Sequence, residues 1–243
     1  MMPTVETLYD VCARTWPAAS ETRVGPWTIR DGQGGGQRVA AATADGAFKL
    51  DDLQSGEAAM TDLNQPNLFM IRDGQTDLDS MLETNGYTIK DPVTYYVAPT
   101  ETLATQRPPA VTCFQVWPPL ATQAEIWDAG GIDDARLAVM HRANGPKTTV
   151  LGRVHDTPAG TAFAAIHNGT AMLHAIETSH AFRRQGLGGH MIRALAFWAQ
   201  DHGAAQIALL VTRANTGANA LYSSMGFSAV GGYHYRIHPE ATA

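Results

Sequence analysis

The chain has little of what marks several common protein classes. Two cysteines, Cys12 and Cys113, occur among 243 residues, too few for a disulfide framework. Nothing else in the sequence suggests a single Cys12–Cys113 bridge, so both are expected as reduced thiols. Positive charge is scarce: 17 Lys and Arg stand against 23 Asp and Glu, a formal net charge of −6. A nucleic-acid binder needs a basic face to neutralise phosphates, so that class is set aside. No apolar run approaches the ~20 residues of a membrane-spanning helix. The first residues lack a basic segment followed by an apolar one, so no signal peptide is read. The nine histidines form neither a Cys/His cluster nor a His-Glu-x-x-His spacing, so no metal is expected. The expectation is a cytoplasmic protein with no nucleic-acid, membrane or metal partner.

What is present is core-forming material. Hydrophobic residues make up 44% and charged residues 16%, a globular rather than a disordered composition. At roughly 150 residues per domain the length falls between one domain and two. A Pro- and Thr-rich stretch from Ala98 to Pro119 reads as a linker holding one short strand, Val111 to Val116. The expected division is therefore 1–107 and 108–243. In the second half, helices are expected over Ala121–Ala129 and Ile132–His141, and strands over Lys147–Val154, Thr161–His167 and Thr170–Thr178. Asp156–Gly160 is read as a turn. Asn168-Gly169 is a strong hairpin signal and, with Thr170, reads as a turn rather than a glycosylation site. A long amphipathic helix follows Gly186, with Leu187, Met191, Leu195 and Trp198 on one stripe. Then come a buried parallel strand Ile207–Val211, a helix Ala218–Ser224 and a last strand near Tyr233–Ile237. In the first half, helices are expected over Val5–Trp16, Leu50–Asn64 and Asp77–Thr84. Strands are expected over Trp27–Arg30, Arg38–Ala44, Leu68–Arg72 and near Val93–Val97. The run Asp31–Gly36 is read as a hairpin turn that opens no helix.

The two halves share a pattern. A shift of 140 positions lays Leu68–Ile71 on Ala208–Val211, Met81 on Leu221, Gly86-Tyr87 on Gly226-Phe227 and Tyr95 on Tyr235. Strand, helix, Gly-aromatic turn and final Tyr keep register without a gap, as duplication of one unit would produce.

The motif that carries chemistry lies after the strand Thr170–Thr178. There Arg183-Arg184-Gln185-Gly186-Leu187-Gly188-Gly189 opens a helix. The first N–H groups of a helix lack intrahelical partners, and the macrodipole is positive at that end. Glycines let a ligand approach those groups closely. The combination suits a diphosphate, with Arg183 and Arg184 adding charge. A Walker loop is absent, and a dinucleotide fingerprint would need a third glycine where Met191 stands. About thirty residues on, Asn215-x-x-Ala218-x-x-Leu221-Tyr222 is followed by Gly226-Phe227. Together these motifs resemble the GNAT superfamily of N-acetyltransferases. The resemblance runs from about Val111 to Ile237, and the N-terminal half looks like a second, degenerate copy.

The resemblance implies an α/β (α+β) fold of two units, each a mixed sheet flanked by helices, the first truncated. It implies acetyl-CoA as cosubstrate and a small-molecule or peptide amine as acceptor. The backbone of Arg183, Arg184, Gln185, Gly186, Leu187, Gly188 and Gly189 would hold the diphosphate of coenzyme A. Ile176, Glu177 and Thr178 would pair with its pantetheine arm as an added strand, and Asn215 would touch the same arm. A backbone N–H on that strand would polarise the thioester carbonyl. Tyr222 would protonate the departing thiolate. Where relatives place a Glu base, this chain has Met172 and Leu210. The candidates for the base are His174, Glu177 or a water chain, and strand alternation puts His174 and Glu177 on opposite faces. Under the 140-residue shift Tyr222 falls on Leu82, Asn215 on Gln75, and the glycine loop on Gly46–Lys49, so the first copy should bind no cofactor. Tyr233–Arg236 either lines the acceptor site or forms an ordinary final strand. A coenzyme A sensor without turnover, and a nucleotide site at Gly186–Gly189, are the other readings. The sequence sets no oligomeric state and is compatible with a monomer.

Overall fold

The computed structural model describes residues 2–239. In chain order the elements are α1 (Val5–Thr15), β1 (Ser20–Val24), β2 (Trp27–Asp31), α2 (Gln37–Ala40), β3 (Thr43–Ala44), α3 (Leu50–Asp62), β4 (Leu68–Arg72), α4 (Thr76–Thr84), β5 (Thr88–Pro99), α5 (Thr100–Leu103) and β6 (Cys113–Val116). They continue with α6 (Ala121–Ala129), α7 (Asp134–Arg142), β7 (Lys147–Val154), β8 (Thr157–His167), β9 (Thr170–Thr178), a 3-10 turn (His180–Phe182), α8 (Leu187–Asp201), β10 (Gln206–Thr212), α9 (Thr216–Ser224) and β11 (Ser228–Ile237). This is the expected mixed α/β architecture of sheets flanked by helices.

The chain divides into two compact units, and the division is not a cut at 107/108. One unit takes the segment ending at Pro17, then Tyr95–Val211 and Asn215–Val230. The other takes Ala18–Thr94, Thr212–Ala214 and everything from Gly231. The physical reason is long-range packing: α1 lies on β8 and β9, more than 140 residues later in the chain. Local patterning predicts that α1 is amphipathic but not which sheet it covers.

In the larger unit the sheet order is β5-β10-β9-β8-β7-β6, with β5 entering through its second half. The pair β9–β10 is parallel and the pairs among β6, β7, β8 and β9 are antiparallel. One sheet face is covered by α8, whose Leu187, Met191, Leu195 and Trp198 pack with Val150, Leu173, Ile207 and Leu209. Burial of each such side chain contributes about 1.5–3 kcal/mol. Gly152 and Gly160 let this helix sit close, because a Cβ on either would come within 3.0 Å of Leu187 or Met191 side chains. The other face carries α1 and α6.

In the smaller unit β1, β2 and β3 form an antiparallel sheet, and β4 pairs antiparallel with β11. Its core is Trp27, Ile29, Leu53, Met60, Phe69, Ile71, Leu78, Leu82 and Tyr87. The expected strand Arg38–Ala44 is instead a single helical turn, α2, followed by the two-residue β3. The glycine-rich run therefore does lead into a helix, with Gly36 at its N-cap (φ 91°). The strand β1 was not anticipated, since four of its five residues are exposed and carry no apolar alternation. The β7–β8 turn sits at His155-Asp156, earlier than expected, so β8 begins at Thr157.

Several backbone features recur at the 140-residue spacing. Helices α4 and α9 start and end 140 positions apart, as do the starts of β5 and β11. Gly86 and Gly226 have φ of 85° and 88°. Tyr87 N–H donates to Leu82 O at 3.0 Å, and Phe227 N–H to Tyr222 O at 3.1 Å. Each strand that closes a copy in sequence serves the other unit in part: β5 completes the larger unit's sheet and β11 pairs within the smaller. A fragment 108–243 expressed alone lacks both α1 and β5. It should show no cooperative thermal transition and should aggregate, whereas the full chain melts cooperatively. A fragment that melts like the full chain would show that α1 and β5 are dispensable.

Candidate active site

The site forms where β9 and β10 part. Their parallel pairing runs Thr170–Gln206 to Leu173–Leu209 and stops. Immediately afterwards β9 bulges. Phe163 pairs with His174 and Thr161 with Glu177, so β9 carries one residue more than β8 between them. Ala175 takes φ +50° there, a left-handed conformation that costs a non-glycine residue about 1–2 kcal/mol.

The bulge corrects the expectation from strand alternation. Leu173 and Ile176, three apart, both pack on the α8 side. His174 and Glu177 therefore share the opposite face. On that face His174 is 3% exposed. The Thr15 hydroxyl donates to Val11 O at 2.7 Å, which leaves its oxygen to accept from His174 Nε2 at 2.9 Å. Trp16 and Phe163 flank the imidazole, with centroids at 5.0 and 6.1 Å. Glu177 is more accessible, its side chain 17% exposed, and Arg183 Nη2 lies 3.1 Å from its Oε1. Arg183 Nε also donates to Thr178 O at 3.0 Å. Behind Glu177 stands Gly130, where a Cβ would lie 2.8 Å from the Glu177 Cγ and Cδ. Only a residue without a side chain leaves that carboxylate its place.

Past the 3-10 turn, Arg184 (φ 64°) and Gly186 (φ 81°) turn the chain into α8, with Gly186 as N-cap. Arg183, Arg184, Gln185 and Gly186 are exposed, while Leu187 is buried and contributes its N–H. The N–H groups of Leu187, Gly188 and Gly189 occupy the first three helical positions, which lack intrahelical acceptors. Gly188 also brings α9 close, because a Cβ there would lie 3.2 Å from Leu221 Cδ2. One turn in, the Nδ1 of His190 is buried without a hydrogen-bond partner. Burial, with Arg193 nearby, lowers the pKa of His190, so its imidazole is neutral at pH 7.

Helix α9 begins at Asn215, whose Oδ1 accepts from Ala218 N–H at 3.0 Å. Its Nδ2 is the group left for a ligand. Tyr222 is buried against Tyr96 and Phe227, with centroids at 5.9 and 6.0 Å. Burial pushes its pKa up to about 12. Tyr96 in turn donates to Asn219 Oδ1 at 3.0 Å.

The structure thus groups Ile176, Glu177, Thr178 and Arg183 at the end of β9, and Leu187, Gly188 and Gly189 at the adjoining helix start. Sequence reasoning missed Gly130 and Trp127, both at the end of α6. Nothing in local spacing ties Trp127 to β9. Among the described residues no cluster of His, Cys, Asp or Glu suits a metal. No described helix is long and apolar enough to cross a membrane.

Comparison with known proteins agrees with this geometry. Residues 111–227 match the Acetyltransferase (GNAT) family, and that segment belongs to it, a class of acyl-transferring enzymes. A protein of Bacillus subtilis (strain 168) described as "Uncharacterized N-acetyltransferase YobR" is 24% identical over 251 residues, spanning 97% of this chain and 99% of that protein. Among solved structures, a GCN5-related N-acetyltransferase from Kribbella flavida superposes with a TM-score of 0.72 at 18% identity, covering 98% of this chain and 97% of the other. A tandem GNAT protein from the clavulanic acid biosynthesis pathway gives a TM-score of 0.59 at 12% identity over 81% and 74%.

The Gly130–Glu177 contact is open to a double-mutant cycle. Gly130→Ala should lower stability by about 1 kcal/mol through overpacking. Glu177→Ala should relieve it, giving a coupling of about 0.5–2 kcal/mol in denaturant melts. Additive losses would mean that the two positions do not touch in solution.

Proposed function

We propose that the chain moves an acetyl group from acetyl-CoA to a primary amine of a small molecule or peptide, by direct attack of the amine within a ternary complex. The observation that carries this reading is the opening of β9 from β10 after Leu173–Leu209, with the glycine-rich start of α8 at the end of the same strand. The residues fit the cosubstrate: three helix-start N–H groups and two neighbouring arginines suit a diphosphate. Arg183 through Gly189 would hold it. Beyond Leu173 the β10-facing edge of β9 is unpaired with β10, so Ile176, Glu177 and Thr178 can take an extended arm. Asn215 would reach that arm through Nδ2. Neither cysteine suits a covalent relay, since Cys12 is buried and burial pushes Cys113 up to about 12. That favours direct attack.

Acetyl-CoA supplies an acyl carbon already activated as a thioester. This chain's residues manage the protons and the charge. The amine nitrogen bonds to the acyl carbon, the carbon–sulfur bond breaks, and one proton leaves nitrogen while sulfur gains one. Glu177 is our choice for the acceptor of the nitrogen's proton, because His174 is committed to Thr15 and enclosed by aromatics. A carboxylate cannot strip a free ammonium, whose pKa lies about six units higher. It can hold that ammonium until one proton leaves to solvent and frees the lone pair, and then take the second proton through water once the new bond has made the N–H acidic. Tyr222 stays protonated at any working pH and donates a hydrogen bond to the departing sulfur. Full transfer to a thiolate of pKa ~8.5 is uphill from a phenol at about 12. Its proton therefore shifts late and is restored from solvent. In this reading the first copy, with Leu82 and Gln75 in place of Tyr222 and Asn215, binds no cofactor.

The test is thiol release from acetyl-CoA across a panel of amines and peptides. Turnover with at least one amine is expected. Binding of coenzyme A without turnover would favour a sensor, and binding of ATP or NAD without coenzyme A would point to a nucleotide site. Glu177→Gln should lower kcat by about 10²–10³. An unchanged kcat would return the base to a water chain. Tyr222→Phe should lower kcat by about 10-fold or more, with acetyl-CoA affinity within a few-fold. Because its pKa is raised, the wild type should show no alkaline limb from this group below about pH 11. Equal losses in kcat and affinity would remove Tyr222 from the chemistry.

A further inference from the structure

The bulge in β9 leaves a carbonyl that the sheet no longer serves. Ala175, half-buried, is the left-handed residue, and a backbone acceptor shielded from water and turned out of its ladder needs another partner. The partner is a side chain. Trp127 Nε1 donates to Ala175 O at 2.8 Å, and Trp127 itself has no exposed surface. Leu or Met could fill much of the same volume, but neither carries a donor. Leaving a partly shielded acceptor unpaired costs free energy that packing does not return. Three residues further along α6, Gly130 lies against the Glu177 side chain. The end of this helix is therefore fitted to both flanks of the bulge.

A trans peptide points its C=O and N–H in opposite directions. A hydrogen bond that draws the Ala175 carbonyl toward α6 directs the N–H of Ile176 away from that face. We propose that Trp127 is a positioning residue for acyl transfer: its indole N–H holds the Ala175–Ile176 peptide turned, so that the Ile176 N–H is aimed into the opening beside β10 as the donor to the thioester carbonyl. The inference rests on the acetyl-transfer reading above and adds the group that sets the donor's direction. The donor stabilises charge that develops on the carbonyl oxygen, so its aim matters more in the transition state than in the bound complex. Losing Trp127's grip should therefore appear in kcat and not in cofactor affinity.

The test compares three replacements at position 127 in the full-length protein. Trp127→Phe keeps aromatic bulk and removes the donor. Site-selective 3-benzothienylalanine keeps the shape of tryptophan and replaces N–H with sulfur. Site-selective 5-fluorotryptophan keeps the N–H. The first two should lower kcat 10- to 100-fold, with Kd for coenzyme A within 3-fold of wild type by calorimetry, and the third should restore kcat. The ultraviolet resonance Raman band of a hydrogen-bonded indole N–H should appear in the wild-type minus Trp127→Phe difference spectrum. The proposal is overturned if the benzothienyl protein keeps wild-type kcat, or if kcat and coenzyme A affinity fall by the same factor. Should Trp127→Phe fail to fold, the benzothienyl protein decides alone. Wild-type protein that acetylates no amine overturns both this inference and the reading on which it rests. Turnover that is indifferent to the N–H overturns this inference alone.

Discussion

The site depends on one extra residue in β9, carried relative to its antiparallel neighbour β8. The ladder with β10 ends at Leu173–Leu209, and the additional residue at Ala175 comes directly after. One added residue has two effects. It moves Glu177 to the face where His174 lies. It turns one peptide out of the sheet, so that its carbonyl must be met from α6. The glycine-rich start of α8 sits at the end of the same strand, so an extended ligand lying along β9 runs toward donors already in place.

The way His174 and Glu177 divide one face is a matter of burial. His174 is closed in by Thr15, Trp16 and Phe163, and its proton serves the contact between α1 and β9. Glu177 keeps its place only because Gly130 has no side chain, and Arg183 ties it to the loop proposed to hold the cofactor. Two titratable groups three residues apart thus come to different uses.

Much of this was legible in the sequence, and the rest was hidden for physical reasons. Ala121–Ala129, Lys147–Val154 and Thr170–Thr178 stand where periodicity put them, because their apolar patterns match the faces they bury. The helix start at Gly186 was readable because glycine at a helix N-terminus has few other uses. The bulge was not readable. It falls on an alanine, with no glycine to mark a positive φ, and its anchor is an indole nearly fifty residues earlier. The enclosure of His174 was equally hidden, since Thr15 and Trp16 reach it across about 160 residues. In the smaller unit, β1 was lost because nothing about its exposed residues alternates. Local chemistry writes elements and caps into the sequence, whereas contacts between distant segments leave no spacing to detect.

The placement of α1 bears on how the chain comes into being. Its apolar stripe, Leu8, Val11 and Cys12, is made well before the strands it covers, which end at His167 and Thr178. At about 5–20 residues per second, that face waits on the order of ten to thirty seconds for its seat. Through that interval the nascent chain carries an uncovered hydrophobic helix, a natural handle for a chaperone that acts during translation.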